Sequence, residues 1–194
     1  MKKRLCKQPI IGLTGGIASG KSTVLTYFKK QGAAVLSADD LVHELYQTGP
    51  VRRQLEKWFG FADKKSIAQA VFTSQQKRKK LEHFLHPLVW KRAQAYLANC
   101  SKKWVVFEVP LLFEAGWDPF MDLTITVVAD LHTKPTCLKA RGLTQQAYQK
   151  RYQAQWPDEE KIRRTDLLLM NNGSKRQLAA KVKRLYQAFE TFYA

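Results

Sequence analysis

Residues Gly15-Gly16-Ile17-Ala18-Ser19-Gly20-Lys21-Ser22 fit the pattern G-x-x-x-x-G-K-[ST], and Thr23 follows. Each fixed position answers a need of phosphate chemistry. Glycines let the backbone curl so that successive N–H groups point at phosphate oxygens. A lysine at position 21 neutralises charge shared between the outer phosphates of a nucleoside triphosphate. A hydroxyl at Ser22 suits Mg²⁺. A helix opening at Lys21 adds its positive dipole end. The chemistry this points to is binding of Mg²⁺ and a nucleoside triphosphate, with the acceptor of the phosphoryl group left open.

Such a loop needs a strand before it and a helix after it. Pro9 to Thr14 is a short apolar run that predicts a buried strand, and Lys21 to Lys30 reads as a helix with Val24, Leu25 and Phe28 on one face. Ala33–Leu36, Trp104–Val109, Leu123–Val128 and Asp166–Met170 read as four further strands. Runs that are apolar throughout, separated by helices, predict an α/β fold: a five-stranded parallel sheet with helices on both faces.

Ligands of such sheets sit beyond the carboxyl ends of the strands. Two positions there carry carboxylates. Asp39 and Asp40 follow the second strand, where either one can orient an acceptor hydroxyl and take its proton. The competing use is as cap of the helix that starts nearby, which Asp also favours. Glu108 ends the third strand and suits either a Mg²⁺-bound water or a salt bridge.

Residues 40–100 lack strand signals and read as a helical insertion. Leu81, Phe84, Leu85, Leu88 and Val89 repeat at helical spacing, and Pro87 is expected to open a new helix there. Ser174 and Gln177 form a capping-box pattern ahead of a stripe of Leu178, Val182, Leu185, Phe189 and Phe192, expected to pack on the core. Residues 131–165 are polar, glutamine-rich and basic, with Arg141, Lys150, Arg151, Lys161, Arg163 and Arg164, and read as a lid or as solvated helix faces.

Composition narrows the class. The 194 residues are 45% hydrophobic and 25% charged, as in a globular chain able to bury a core without disulfides. Thirty-three Lys and Arg against 16 Asp and Glu give a formal charge of +17, which points to polyanionic partners. The three cysteines, Cys6, Cys100 and Cys137, have no metal-ligand spacing and read as free thiols in a reducing cytoplasm. No apolar run approaches a membrane span, and the basic start lacks a signal-peptide cleavage site.

Several strings together resemble the dephospho-coenzyme A kinase family. They are the loop 13–23 followed by Ala38-Asp39, then Val71-Phe72, Leu81-Glu82, His86-Pro87-Leu88-Val89, Val109-Pro110-Leu111-Leu112-Phe113-Glu114, and a tail of Gln155, Lys161, Asp166 and Asn171-Asn172-Gly173. The resemblance covers nearly the whole chain. It implies a P-loop NTPase-like core (about 8–39, 103–130 and 166–194), a helical coenzyme-binding insertion (about 40–100) and a lid (about 131–165), all in one kinase domain. It implies ATP and dephospho-coenzyme A as substrates, Mg²⁺, and transfer to the ribose 3′-hydroxyl. It further implies Asp39 as the base, Lys21 and Arg141 on the phosphates, residues 16–23 and Asn171 at ATP, and His86 and Leu111 at the acceptor. Two departures stand out: Ser37 replaces the first Asp of the family's Asp-x-Asp, and the segment after the fourth strand is short, with Arg141 its one arginine before Gly142.

Two other readings compete. A nucleoside or nucleotide kinase would share the phosphate loop, base and lid, since fold does not fix the acceptor. A nucleic-acid-binding NTPase would suit the charge, but the basic residues are scattered and carry no signature of a dedicated binder.

Overall fold

The computed structural model describes residues 8–72, 74–129 and 155–193. The chain divides into two compact units, residues 1–36 with 97–194, and Ser37–Tyr96.

The first unit is built on five strands: β1 (Ile10–Gly15), β2 (Ala34–Ser37), β3 (Val105–Glu108), β4 (Leu123–Ala129) and β5 (Leu167–Asn171). Their order across the sheet is β2-β3-β1-β4-β5. The pairings of β1 with β3, β1 with β4 and β4 with β5 are parallel, with Leu13 opposite Glu108 and Thr14 opposite Thr126. The expected α/β sheet of five parallel strands is therefore present, with strand ends within a residue or so of those expected. β1 lies in the centre, between a neighbour reached later in the chain on each side. That is the switch point at which such sheets open a crevice for ligands.

Alternation along β1 explains how both faces are filled. Ile11 and Leu13 join Val106, Ile125, Val127 and Leu169 in a core completed by two helices. These are α1 (Lys21–Lys30), through Val24 and Phe28, and the C-terminal helix, through Leu178, Val182 and Phe189. Trp104 seals this layer edge-on to Phe28 at 6.2 Å and to Phe189 at 5.5 Å, and its indole N–H donates to Glu190 at 2.8 Å. Gly12 belongs to the other face, where Met121 and Leu112 press so closely that a side chain would collide with them. Phe107, on that same face by alternation, packs on Trp117 at 6.2 Å.

The second unit is helical: α2 (Ala38–Tyr46), α3 (Gly49–Phe59), α4 (Lys64–Phe72) and most of α5 (Gln75–Ala98). One expectation fails here. Pro87 does not start a helix; α5 runs through it for 24 residues. Leu81, Leu85, Val89 and Ala93 are all buried at four-residue spacing, so one apolar face continues across the proline. Burial of that face outweighs the hydrogen bond that proline cannot donate, a cost of about 3 kcal/mol in an exposed helix. An open groove of about 670 Å³ lies beside this stretch, lined by Trp58, Lys79, Lys80, His83, Phe84 and Pro87. Within it Trp58 meets Phe84 edge-on at 5.2 Å, and the Lys80 ammonium sits 4.3 Å from the Trp58 ring centre.

From residue 155 the chain forms α6 (Asp158–Arg164), then β5 and then α7 (Lys175–Phe192). The expected capping box is complete: the Ser174 hydroxyl accepts from Gln177 N at 3.2 Å, and the Gln177 amide oxygen accepts from Ser174 N at 2.8 Å. The apolar stripe of α7 stops short of its end, because Phe192 is 79% exposed where its spacing predicts burial. The side chain that continues the core face is Tyr193, four residues on from the buried Phe189, and Phe192 points off that stripe. Replacing Ser174 with Ala removes one reciprocal bond and is expected to cost about 1 kcal/mol, measured as a lower urea midpoint with unchanged slope.

Candidate active site

The passage from β1 into α1 is where the sequence requires glycine. Gly15 has a φ of 147°, and a Cβ there would drive into the carbonyl oxygen of Val127 on the adjacent strand. Gly20 has a φ of 97°, and a Cβ would meet the side-chain amide of Asn171. Between them Ile17, Ala18 and Ser19 are buried, with Ala18 itself in the left-handed region at 61°. Ser19 N donates back to Gly16 O at 3.3 Å, closing the turn.

α1 begins with Gly20 as its cap, no side chain capping its first N–H groups and no acidic residue in its first turn. An anion there meets uncapped donors and the positive end of the helix dipole without a competing carboxylate on that turn. The Lys21 ammonium, only 7% exposed, donates to the carbonyls of Gly15 and Gly16 at 2.8 Å each, which holds its charge over the loop. Asn171, at the end of β5, donates to Ser19 O at 2.9 Å and braces the loop from the side opposite Gly15. Thr23 is half-buried one residue into the helix past Ser22.

Ser22 is exposed, and its hydroxyl donates to Glu108 Oε1 at 3.4 Å. Glu108 is 5% exposed at the end of β3. Mg²⁺ takes few protein ligands and fills its octahedron with phosphate oxygens and water. One hydroxyl facing one buried carboxylate beside a phosphate loop fits that habit. Among the described residues no cluster of three or more His, Cys, Asp or Glu side chains forms a cage for a metal.

The remaining expected residues fall in different places. Leu111 is half-buried in the turn that follows β3, where Ala115 N donates to its carbonyl at 2.9 Å. Asp39 and Asp40 are exposed in the first turn of α2 in the helical unit. Neither is its cap. Ser37 is, accepting from Asp40 N at 3.4 Å, so the residue that departs from the family's Asp-x-Asp has a structural use. His86 is half-buried within α5. Burial holds its pKa below the ordinary value; Glu82 opposes that shift and His83 adds to it. Arg141 lies outside the described residues, as does most of the expected lid, 131–154.

Sequence reasoning misses one participant. Lys161, expected on a lid or a solvated helix face, is completely buried beside the phosphate loop's supporting turn, 3.0 Å from Glu114. A signal for it exists: a lysine and the glutamate of the Pro110–Glu114 string, both among the strings that carry the resemblance.

A central strand running into a G-x-x-x-x-G-K-S loop, with a buried carboxylate at the end of the next strand, defines a P-loop nucleotide-binding protein. The comparisons with known proteins agree and narrow the class. A family model described as dephospho-CoA kinase matches residues 9–177. The dephospho-CoA kinase of Symbiobacterium thermophilum is 37% identical over 193 residues, covering 92% of this chain and 80% of that one. The crystal structure of TT1252 from Thermus thermophilus superposes with a TM-score of 0.82 at 34% identity, covering 94% of this chain and 98% of that one. A dephospho-CoA kinase structure from Campylobacter jejuni, 22% identical, shares the fold with a TM-score of 0.70 over 99% of this chain and all of that one (100%). The chain belongs to the dephospho-CoA kinase family, whose reaction is the ATP-dependent phosphorylation of dephospho-CoA, the last step of CoA biosynthesis. Among the described residues no helix is long and apolar enough to cross a membrane.

The depressed pKa of His86 sets a sign for pH dependence. The unfolded chain binds a proton on this residue at a pH where the folded chain does not. Stability contributed here is therefore whole above about pH 6.5 and falls as pH drops below it, until the folded pKa is reached. Urea denaturation across this range is expected to show that slope, and His86→Asn to flatten it.

Proposed function

We propose that this chain transfers the γ-phosphoryl group of ATP to the ribose 3′-hydroxyl of dephospho-CoA, with Asp39 as the base that takes the hydroxyl proton. The observation that carries the reading is the phosphate loop, with Lys21 held over it and Ser22 facing Glu108. Lys21 and the amides of residues 16–23 bind the β- and γ-phosphates and stabilise the charge that spreads over the transferring group. Ser22 and, through water, Glu108 would hold Mg²⁺, which supplies charge neutralisation between the phosphates when bound. Asn171 keeps the loop in register from β5. Arg141 is assigned to the phosphates on the resemblance alone.

The helical unit is assigned to the acceptor. Its support is chemical: Asp39 is exposed and released from capping by Ser37. The groove of Trp58, Lys80 and Phe84 combines cations with aromatic faces, which suits a ligand with phosphate and apolar parts. His86 and Leu111 are assigned acceptor contacts on the resemblance. Two polyanionic substrates account for the +17 charge without nucleic acid. Cys100 is a free thiol, in keeping with work in the cytoplasm.

The direct test incubates the purified protein with Mg²⁺·ATP and dephospho-CoA, with adenosine, AMP and no acceptor in parallel. ADP release confined to dephospho-CoA, with CoA identified by mass, is the expected result; release with no acceptor refutes the reading. Asp39→Asn is expected to lower kcat by about 10²-fold or more, the usual worth of a general base, while the KM for ATP stays within a few-fold. Near-normal kcat in that variant removes Asp39 from its role. Lys21→Ala is expected to lower kcat/KM for ATP by about 10²–10³-fold, measured in the same assay.

A further inference from the structure

Lys161 is 0% exposed. A buried ammonium is costly unless each of its bonds is made inside the protein. Its Nζ pairs with Glu114 Oε1 at 3.0 Å and donates to Pro110 O at 3.1 Å. Both acceptors have a second donor. Pro110 O also accepts from Thr14 Oγ1 at 3.3 Å, and Thr14 is the residue just before Gly15. Glu114 Oε1 also accepts from Trp156 N at 2.9 Å. One ammonium thus ties together the end of β1, the turn that follows Glu108 and β3, and the entry to α6.

α6 in turn touches the loop. Asp158, three residues before Lys161 and 8% exposed, lies so close to Gly16 that a Cβ on that glycine would collide with its carboxylate. A shift of α6 changes the fit of this carboxylate against the phosphate loop, and Pro110 lies two residues beyond Glu108 at the end of β3.

We infer that Lys161 is a positioning residue for the nucleotide site. Through the Pro110 carbonyl it holds the end of β3 and the phosphate loop in the geometry that binds the triphosphate. This rests on the phosphate-loop reading above. The tie to Pro110 is distinct from the charge balance with Glu114, and the two separate by mutation. Lys161→Met alone leaves Glu114 buried without its cation. The double variant Lys161→Met with Glu114→Gln removes that imbalance, keeps an acceptor for Trp156 N, and still lacks the tie to Pro110.

The test measures melting temperature, equilibrium binding of a non-hydrolysable ATP analogue with Mg²⁺, and steady-state kinetics, each well below the variant's own melting temperature. Lys161→Met is expected to lose thermal stability and to bind the analogue about 10-fold or more weakly. The double variant is expected to regain much of the melting temperature, while analogue affinity stays down about 10-fold and the KM for dephospho-CoA stays within about 2-fold of wild type. Should Lys161→Met not fold, the double variant carries the test. A double variant with restored stability and wild-type analogue affinity overturns the positioning role and leaves the pair purely structural. A wild-type protein that fails to bind the analogue overturns the phosphate-loop reading itself, and the inference with it.

Discussion

The backbone of β1 has to turn into α1 with no room for a side chain at either end of the loop. Gly15 lies against the carbonyl of Val127, and Gly20 against the amide of Asn171. Three side chains meet the loop at its main chain. Lys21 binds the carbonyls of Gly15 and Gly16, Asn171 binds that of Ser19, and Asp158 presses on Gly16. The loop is thus shaped by β4, β5 and α6 together. Preorganised backbone donors of this kind need no rearrangement when charge develops on a phosphoryl group, which is where such enzymes gain most of their rate.

The opposite ends of the strands are fixed by carboxylates. Asp122 accepts from Ile10 N at 2.8 Å at the start of β1, and Asp166 accepts from both Thr124 N and Thr124 Oγ1 at 2.7 Å at the start of β4. Thr165 adds bonds to the carbonyls of Thr124 and Leu167 at 3.2 and 3.1 Å. These contacts pin strand register where no ligand binds. A slip of one residue would exchange the side chains that fill the two faces of the sheet, so the amino ends secure the geometry that the carboxyl ends present to substrate.

Much of this architecture is legible in the amino-acid sequence. The loop and α1 can be read almost to the residue, because glycine, lysine and a hydroxyl at fixed spacing have few other uses. The capping box of α7 is equally clear. The failures share a cause: local pattern is overruled by what lies across from it. Pro87 looks like a boundary, yet the apolar face around it carries the helix through. Phe192 looks like the last member of the α7 stripe, yet it is Tyr193 that packs against the core. Lys161 looks like surface charge, because its partner Glu114 is 47 residues away in sequence (161 minus 114). Pairing at that range leaves no trace in local composition.

The chain order of these elements also bears on how the molecule assembles. Thr14 and Pro110, joined across the β1–β3 seam, are 96 residues apart, and the whole helical unit lies between them. Closing so long a loop costs entropy before the central strands can pair. Local helical contacts in Ser37–Tyr96 carry no such cost. The length of the helical unit therefore sets part of the entropic cost of pairing β1 with β3, the strands from which the phosphate loop and Glu108 emerge.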